Sequence, residues 1–112
     1  MNRSSVKTIG CAELRELLAA GNVEIIDVRT PEEFVEVRAA AARNVPLDTL
    51  DPPAVMRTRT GSPEDPLYFI CHLGGRSAAA CMMFTAAGYP NAINIEGGTD
   101  AWLAAGLPTE QG

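Results

Sequence analysis

The sequence predicts an α/β domain with an about five-stranded, mainly parallel sheet and helices on both faces. Two observations carry that prediction. Strand-like runs near residues 8, 25, 44, 69 and 93 alternate with helix-like segments, the pattern of strands joined by crossover helices. The runs at Val23–Val28 and Leu67–Ile70 are also largely apolar and β-branched or aromatic, as strands buried on both faces tend to be. A chain of 112 residues is expected to hold one such domain, with its core over about residues 6–108, and no second one.

After a polar start, Val6–Ile9 reads as a short edge strand, and Cys11–Ala20 carries Leu14, Leu17 and Leu18 at helical spacing. Glu13 falls near the first turn, where the helix dipole favours an acid, and Gly21 is placed for a left-handed C-terminal cap. Val23–Val28 is a buried strand that ends at a charged pair, Asp27 and Arg29. Thr30-Pro31-Glu32-Glu33 combines a capping hydroxyl, a proline at the first helical position and a glutamate at the third. This capping box starts a short helix from Pro31 to about Val37.

Arg38–Ala42 is helix-permissive, and Arg43-Asn44-Val45 is a brief strand stopped by Pro46. Asp51 caps a helix through about Arg57, and Thr58–Pro66 is a surface loop rich in turn-forming residues. Leu67–Ile70 then delivers the chain to Cys71, and a loop containing Gly74 and Gly75 opens a helix near Arg76. That helix runs to Ala87 and stops at Gly88, its small residues suited to lying close on a sheet. Ala92–Ile95 is the last strand, Gly97-Gly98 a tight turn, and Thr99–Ala105 a final helix ended by Gly106, with Trp102 in the core.

A net charge of −5 and a pI near 4.7, with the basic residues scattered, exclude nucleic acid as an expected partner. No run of about 18 apolar residues is present, so no membrane span is expected within this chain. Met1–Gly10 has no apolar signal region, which makes the cytoplasm the default address. The three cysteines, Cys11, Cys71 and Cys81, form no Cys-x-x-Cys pair, against both a disulfide framework and a metal site. His72 is the single histidine, adjacent to Cys71 and without evident further ligands.

Cys71 is where reactive chemistry is expected. A thiol attacks as thiolate, and a helix N-terminus lowers its pKa. The backbone amides of His72, Leu73, Gly74, Gly75, Arg76 and Ser77 converge on the sulfur if the loop curls, and glycine permits the curl. Arg76 adds positive charge. Such a cradle stabilises a thiolate, a persulfide or an incoming oxyanion. His72, as a sequence neighbour on a curled loop, suits a rim or substrate contact better than a general base. Cys11 reads as a helix-face residue and Cys81 as packing.

Cys71-x-x-Gly74-x-Arg76-Ser77 resembles the active-site loop of single-domain rhodanese-like sulfurtransferases. The resemblance extends to Ile26-Asp27-Val28-Arg29-Thr30-Pro31-Glu32-Glu33-Phe34, to Arg43-Asn44-Val45-Pro46-Leu47, and to Glu96-Gly97-Gly98, Ala101-Trp102 and Ala105-Gly106-Leu107-Pro108. Two departures stand out. Arg38–Ala42 replaces the family's usual His-x-Pro-Gly-Ala, and Thr99 stands where a hydrophobic residue commonly follows Gly-Gly.

The resemblance implies ping-pong transfer of sulfane sulfur. Cys71 would take sulfur from a small anionic donor such as thiosulfate, hold it as a persulfide, and yield it to a thiol, a protein thiol or cyanide, with no separate cofactor. In that reading the loop His72–Ser77 binds substrate and persulfide, Arg76 orients the donor, and Asp27 and Arg29 brace the loop or edge the pocket. One alternative is a non-enzymatic sulfur carrier or interaction module of the same fold. Another is a Cys-dependent phosphatase or arsenate reductase, whose loop places five residues between Cys and Arg; here there are four, a cradle narrower than a tetrahedral phosphate favours.

Overall fold

The computed structural model describes residues 6–21 and 23–112; the polar start ahead of Val6 lies outside them. In chain order the elements are β1 (Lys7–Ile9), α1 (Cys11–Ala20), β2 (Ile25–Asp27), α2 (Pro31–Glu36), β3 (Arg38–Ala39) and β4 (Ala42–Asn44). A 3-10 turn (Leu47–Thr49) and α3 (Pro52–Thr58) lead to β5 (Leu67–Ile70), followed by α4 (Gly75–Ala86), β6 (Ala92–Ile95), α5 (Gly98–Ala104) and β7 (Thr109–Glu110). Five parallel strands form one sheet in the order β1-β6-β5-β2-β4.

Strand β5 is central, and its four residues are all buried. Successive side chains point to opposite faces of a strand, and here both faces are covered. Leu67, Phe69 and Cys71 join Val55 of α3 with Ala80, Cys81 and Phe84 of α4 in one cluster. Tyr68 and Ile70 join Leu14 of α1 and Trp102 of α5 in the other. The Phe69 and Phe84 rings sit 4.8 Å apart in a tilted arrangement, a favoured aromatic geometry. Cys71 therefore continues the row that faces α4, the helix its own loop begins.

The connections that leave β2 and β5 diverge. The chain from β2 passes through α2 to β4 at one edge, and the chain from β5 passes through α4 to β6 on the other side. In an open α/β sheet the crevice beyond the carboxyl ends of such strands is the natural ligand site. Cys71 lies there.

The segment Arg38–Ala42 departs from its helix-permissive reading. It holds β3 and the first residue of β4, and β3 pairs antiparallel with β7, Arg38 opposite Glu110 and Ala39 opposite Thr109. Alanine's helix preference amounts to a few tenths of a kcal/mol per residue. Strand pairing, burial of Ala39 and the stacking of Arg38 on the Phe34 ring at 4.9 Å override it. The strand expected at Arg43–Val45 is shifted by one residue, although the Val45 amide still donates to the Asp27 carbonyl at 2.9 Å. Gly21 is extended, with φ 167°, rather than left-handed, and Asp51 precedes α3 without a side-chain capping bond.

Candidate functional site

Gly74 turns the chain from β5 into α4. Its φ of +119° is a conformation that glycine adopts without strain and other residues rarely do. The turn brings the Gly74 amide to 3.0 Å from the Cys71 sulfur and the Ser77 hydroxyl to 3.4 Å. Gly75, read from sequence as a second hinge, is an ordinary helical residue with no positive φ. The freedom the loop needs is concentrated at Gly74.

These contacts set the state of the thiol. Cys71 is only 1% exposed, and burial by itself disfavours its thiolate. The Ser77 hydroxyl and the amides of Ser77, Gly74 and Arg76 outweigh that burial and hold the thiol below its ordinary pKa. The 12-residue helix α4 also directs its positive end at the sulfur. Cys81, buried in the sheet-facing side of the same helix, has no such donors and is pushed up to about 12 by burial. Cys11 is raised by burial too, with Arg15 offsetting part of the effect.

Helix α5 clamps the other side of the loop. The Thr99 amide and hydroxyl both donate to the Cys71 carbonyl, at 2.7 Å and 3.0 Å, and the Asp100 amide donates to the His72 carbonyl at 3.3 Å. The departure at Thr99 thus places a buried hydroxyl on the residue that carries the thiol. Gly98 makes the approach possible, because a Cβ there would stand 2.3 Å from the Cys71 carbonyl oxygen. Gly98→Ala is expected to lower unfolding stability by about 2–4 kcal/mol, from backbone overlap and a left-handed φ. A shift of the urea midpoint measures it.

Arg76 does not stand free. Its Nη1 and Nη2 donate to the two carboxylate oxygens of Glu33 at 2.8 Å and 3.0 Å, a bidentate pair that ties the start of α4 to the first turn of α2. Glu33 is also the third residue of the capping box, accepting from the Thr30 amide at 2.9 Å. The Arg76 hydrogen bonds, working against burial, bring the Glu33 carboxyl from its ordinary 4.5 to about 2. A depressed carboxyl contributes stability that is complete above the unfolded value and is lost as pH falls through the folded one. The expected result is a loss between about 4.5 and 2 that Glu33→Gln lacks, read from urea midpoints at pH 5 and pH 3.

Asp27 and Arg29 are both buried. Arg29 Nε and Nη2 donate to the Asp27 carboxylate at 2.8–3.0 Å, and the Arg29 amide adds a bond at 2.9 Å. Arg29 Nη2 also reaches the Val37 carbonyl at 2.6 Å, and Asn44 Nδ2 donates to the Asp27 and Arg29 carbonyls at 3.0 Å each. The pair braces the end of β2, whose next amide, that of Val28, bonds the Ile70 carbonyl at 3.0 Å. It does not touch the thiol.

His72 turns toward α5, its Nε2 3.2 Å from Asp100 Oδ1, and Leu73 is 65% exposed at the loop's tip. A cavity of about 860 Å³ lies at the amino ends of the strands, lined by Val23, Ile25, Arg43, Arg59 and Tyr68 among others. It includes no residue of the Cys71 loop, and the donors that favour a thiolate are at the opposite sheet edge. Asn94 and the pairing role of Glu33 escaped the sequence reading, and Thr99 stood out there only as a departure from the family pattern, without its role. Asn94 did carry a visible signal, a polar side chain inside the apolar run Ala92–Ile95.

The family model for the rhodanese-like domain matches residues 11–105. The chain is 35% identical over 102 residues to an uncharacterized protein of Synechocystis, covering 91% of this chain and 55% of that protein, about half its length. It is 32% identical over 106 residues to the human thiosulfate:glutathione sulfurtransferase, covering 86% of this chain and 92% of that protein. The crystal structure of a rhodanese-like domain protein from Staphylococcus aureus superposes with a TM-score of 0.73 at 35% identity, over 87% of this chain and 91% of that one. The matched span contains the whole sheet except β1, together with the Cys71 loop and the α5 clamp, and the chain belongs to the rhodanese-like sulfurtransferase family.

Proposed function

We propose that the protein transfers sulfane sulfur through a persulfide on Cys71. The observation that carries this reading is the convergence of the Gly74 amide, at 3.0 Å, and the Ser77 hydroxyl, at 3.4 Å, on the Cys71 sulfur at the end of a buried strand. The Cys71 thiolate attacks the outer sulfur of a donor such as thiosulfate. A new S–S bond forms on Cys71, and the old one breaks with its electron pair leaving on sulfite. An acceptor thiolate or cyanide then attacks the outer sulfur, and the electron pair returns to the Cys71 sulfur.

The residues divide the work. The backbone of the loop Gly74–Ser77 holds negative charge on sulfur with amide donors that are already in place before transfer. Arg76, locked by Glu33, presents a cationic edge to the anionic donor, and His72 and Leu73 form the rim that meets donor or acceptor. Asp27 and Arg29 hold the end of β2 that supports the loop. The name of the human relative, thiosulfate:glutathione sulfurtransferase, supports thiosulfate as donor and a small thiol as acceptor.

Incubation with thiosulfate is expected to add one sulfur atom to the intact mass, removed again by cyanide. No adduct under saturating thiosulfate would overturn the reading. Fast single transfer to a protein thiol without turnover of small molecules would mark a carrier instead, and aryl phosphate hydrolysis outpacing sulfur transfer would mark a phosphatase.

A further inference from the structure

Beyond the loop itself, one buried polar side chain from a different strand reaches the group that touches the sulfur. Asn94, in the middle of β6, places its Oδ1 2.5 Å from the Ser77 hydroxyl oxygen, which lies 3.4 Å from the Cys71 sulfur. All three residues are buried. The Ser77 hydroxyl has one proton and three neighbours that can accept it: Asn94 Oδ1, the Gly74 carbonyl at 3.1 Å, and the Cys71 sulfur. The Gly74 carbonyl already accepts the Ala78 amide at 3.1 Å within α4. A carbonyl has a second lone pair, so the Gly74 oxygen stays available to Ser77 in any state, and the competition that Asn94 can alter is the one between its own oxygen and the sulfur.

A side-chain amide can settle that competition in either direction. Its oxygen only accepts and its nitrogen only donates, and the two are nearly the same size. With Oδ1 toward Ser77, the serine proton goes to Asn94, and Ser77 accepts from a neutral Cys71 thiol. With the amide turned over, Nδ2 donates to Ser77, and the serine proton is free to donate to a Cys71 thiolate. Nδ2 meets no acceptor among the described residues in the first arrangement, so turning the amide forfeits no bond that they supply. No proton is transferred between residues; only the direction of the chain reverses.

We infer that Asn94 is a positioning residue for sulfur transfer, an amide that turns over to direct the Ser77 hydroxyl onto the Cys71 sulfur whenever that sulfur carries negative charge. This rests on the persulfide reading. Negative charge appears on the sulfur before it attacks the donor, and again when the acceptor takes the outer sulfur and the electron pair returns. Hydrogen-bond chains of this kind strengthen each bond by polarising the next. A residue that could only accept would hold the serine proton away from the sulfur at both moments.

The test is the pH profile of Cys71 alkylation by iodoacetamide, followed by peptide mapping, which does not depend on sulfur transfer. Asn94→Leu keeps the approximate size and removes the amide. It is expected to slow alkylation near neutral pH about three- to tenfold by moving the inflection upward, while leaving the neighbouring charges of Arg76, Glu33, Asp27, Arg29, His72 and Asp100 in place. Ser77→Ala is expected to slow it about tenfold, and Asn94→Leu added to Ser77→Ala to change nothing more. That non-additivity is the signature, since a structural role would act equally in both backgrounds.

Asn94→Asp, of nearly unchanged shape and acceptor-only when ionised, covers the case in which the leucine variant does not fold; with the carboxylate ionised, its inflection is expected to move up further. An inflection unmoved in Asn94→Asp, or an Asn94→Leu effect of equal size with and without Ser77, would overturn the inference. If the alkylation results hold and thiosulfate leaves no sulfur on Cys71, the amide relay stands and the persulfide reading alone fails.

Discussion

Cys71→Ser is expected to leave no thiosulfate-derived sulfur on the protein and to reduce sulfur transfer about a thousandfold or more. The loop would remain nearly the same shape, so the loss reports chemistry rather than folding. A serine hydroxyl is not ionised near neutrality and does not form the S–S bond on which the cycle depends. No other thiol can substitute. Cys81 is buried in the core, which pushes its thiol up to about 12, and Cys11 stands on α1 with its pKa raised by burial.

Cys11→Ser and Cys81→Ala are accordingly expected to keep at least about half of the activity, within the range of most substitutions away from the reacting atoms. Alanine is the better replacement at Cys81, because a serine hydroxyl there would be buried among Phe69, Phe84 and Val55 at a cost of about 1–3 kcal/mol. The check is intact mass after thiosulfate, with and without cyanide. An adduct of equal yield in Cys71→Ser would sink the assignment of the nucleophile.

Asp27→Ala should be the most destabilising single change, about 3–5 kcal/mol, because it leaves the buried Arg29 guanidinium without its counter-charge. Asp27 is fully buried, with 0% exposure, and takes bonds from the Arg29 side chain and amide. The penalty belongs to the orphaned cation more than to the lost attraction. Arg29→Met added to Asp27→Leu should therefore recover much of the loss, since an apolar pair of similar volume often replaces a buried ion pair without net cost. Urea unfolding reads both results as midpoint shifts at an unchanged slope. A loss below about 1 kcal/mol for Asp27→Ala would mean that water reaches Arg29 and that the brace is not structural.

Much of the architecture was legible because its signals are local. The Thr30–Glu33 capping box needs only four consecutive residues, and it forms as read, with the Thr30 hydroxyl accepting from the Glu33 amide at 3.2 Å. The apolar run into Cys71 and the small-residue helix after Gly74 are local signals as well. Arg38–Ala42 failed for the converse reason: its helix preference was local, and the strand that overrules it, β7, lies about 70 residues along the chain.

By itself, then, the sequence determined the alternation of strands and helices, the parallel sheet, and the cysteine at a strand end followed by a glycine-hinged helix. The tertiary structure decided what surrounds that cysteine. Glu33 reaches Arg76 across 43 positions, Thr99 reaches the Cys71 carbonyl across 28, and Asn94 reaches Ser77 across 17. Each contact depends on strand order and register, which bring β6 and the connections after β2 and β6 to one sheet edge. Propensity and periodicity act over one or two turns of chain, which is enough to place the Gly74 and Ser77 donors on the thiol; the groups that hold that loop in place, Glu33, Thr99 and Asn94, come within about 3 Å of it only in the folded sheet.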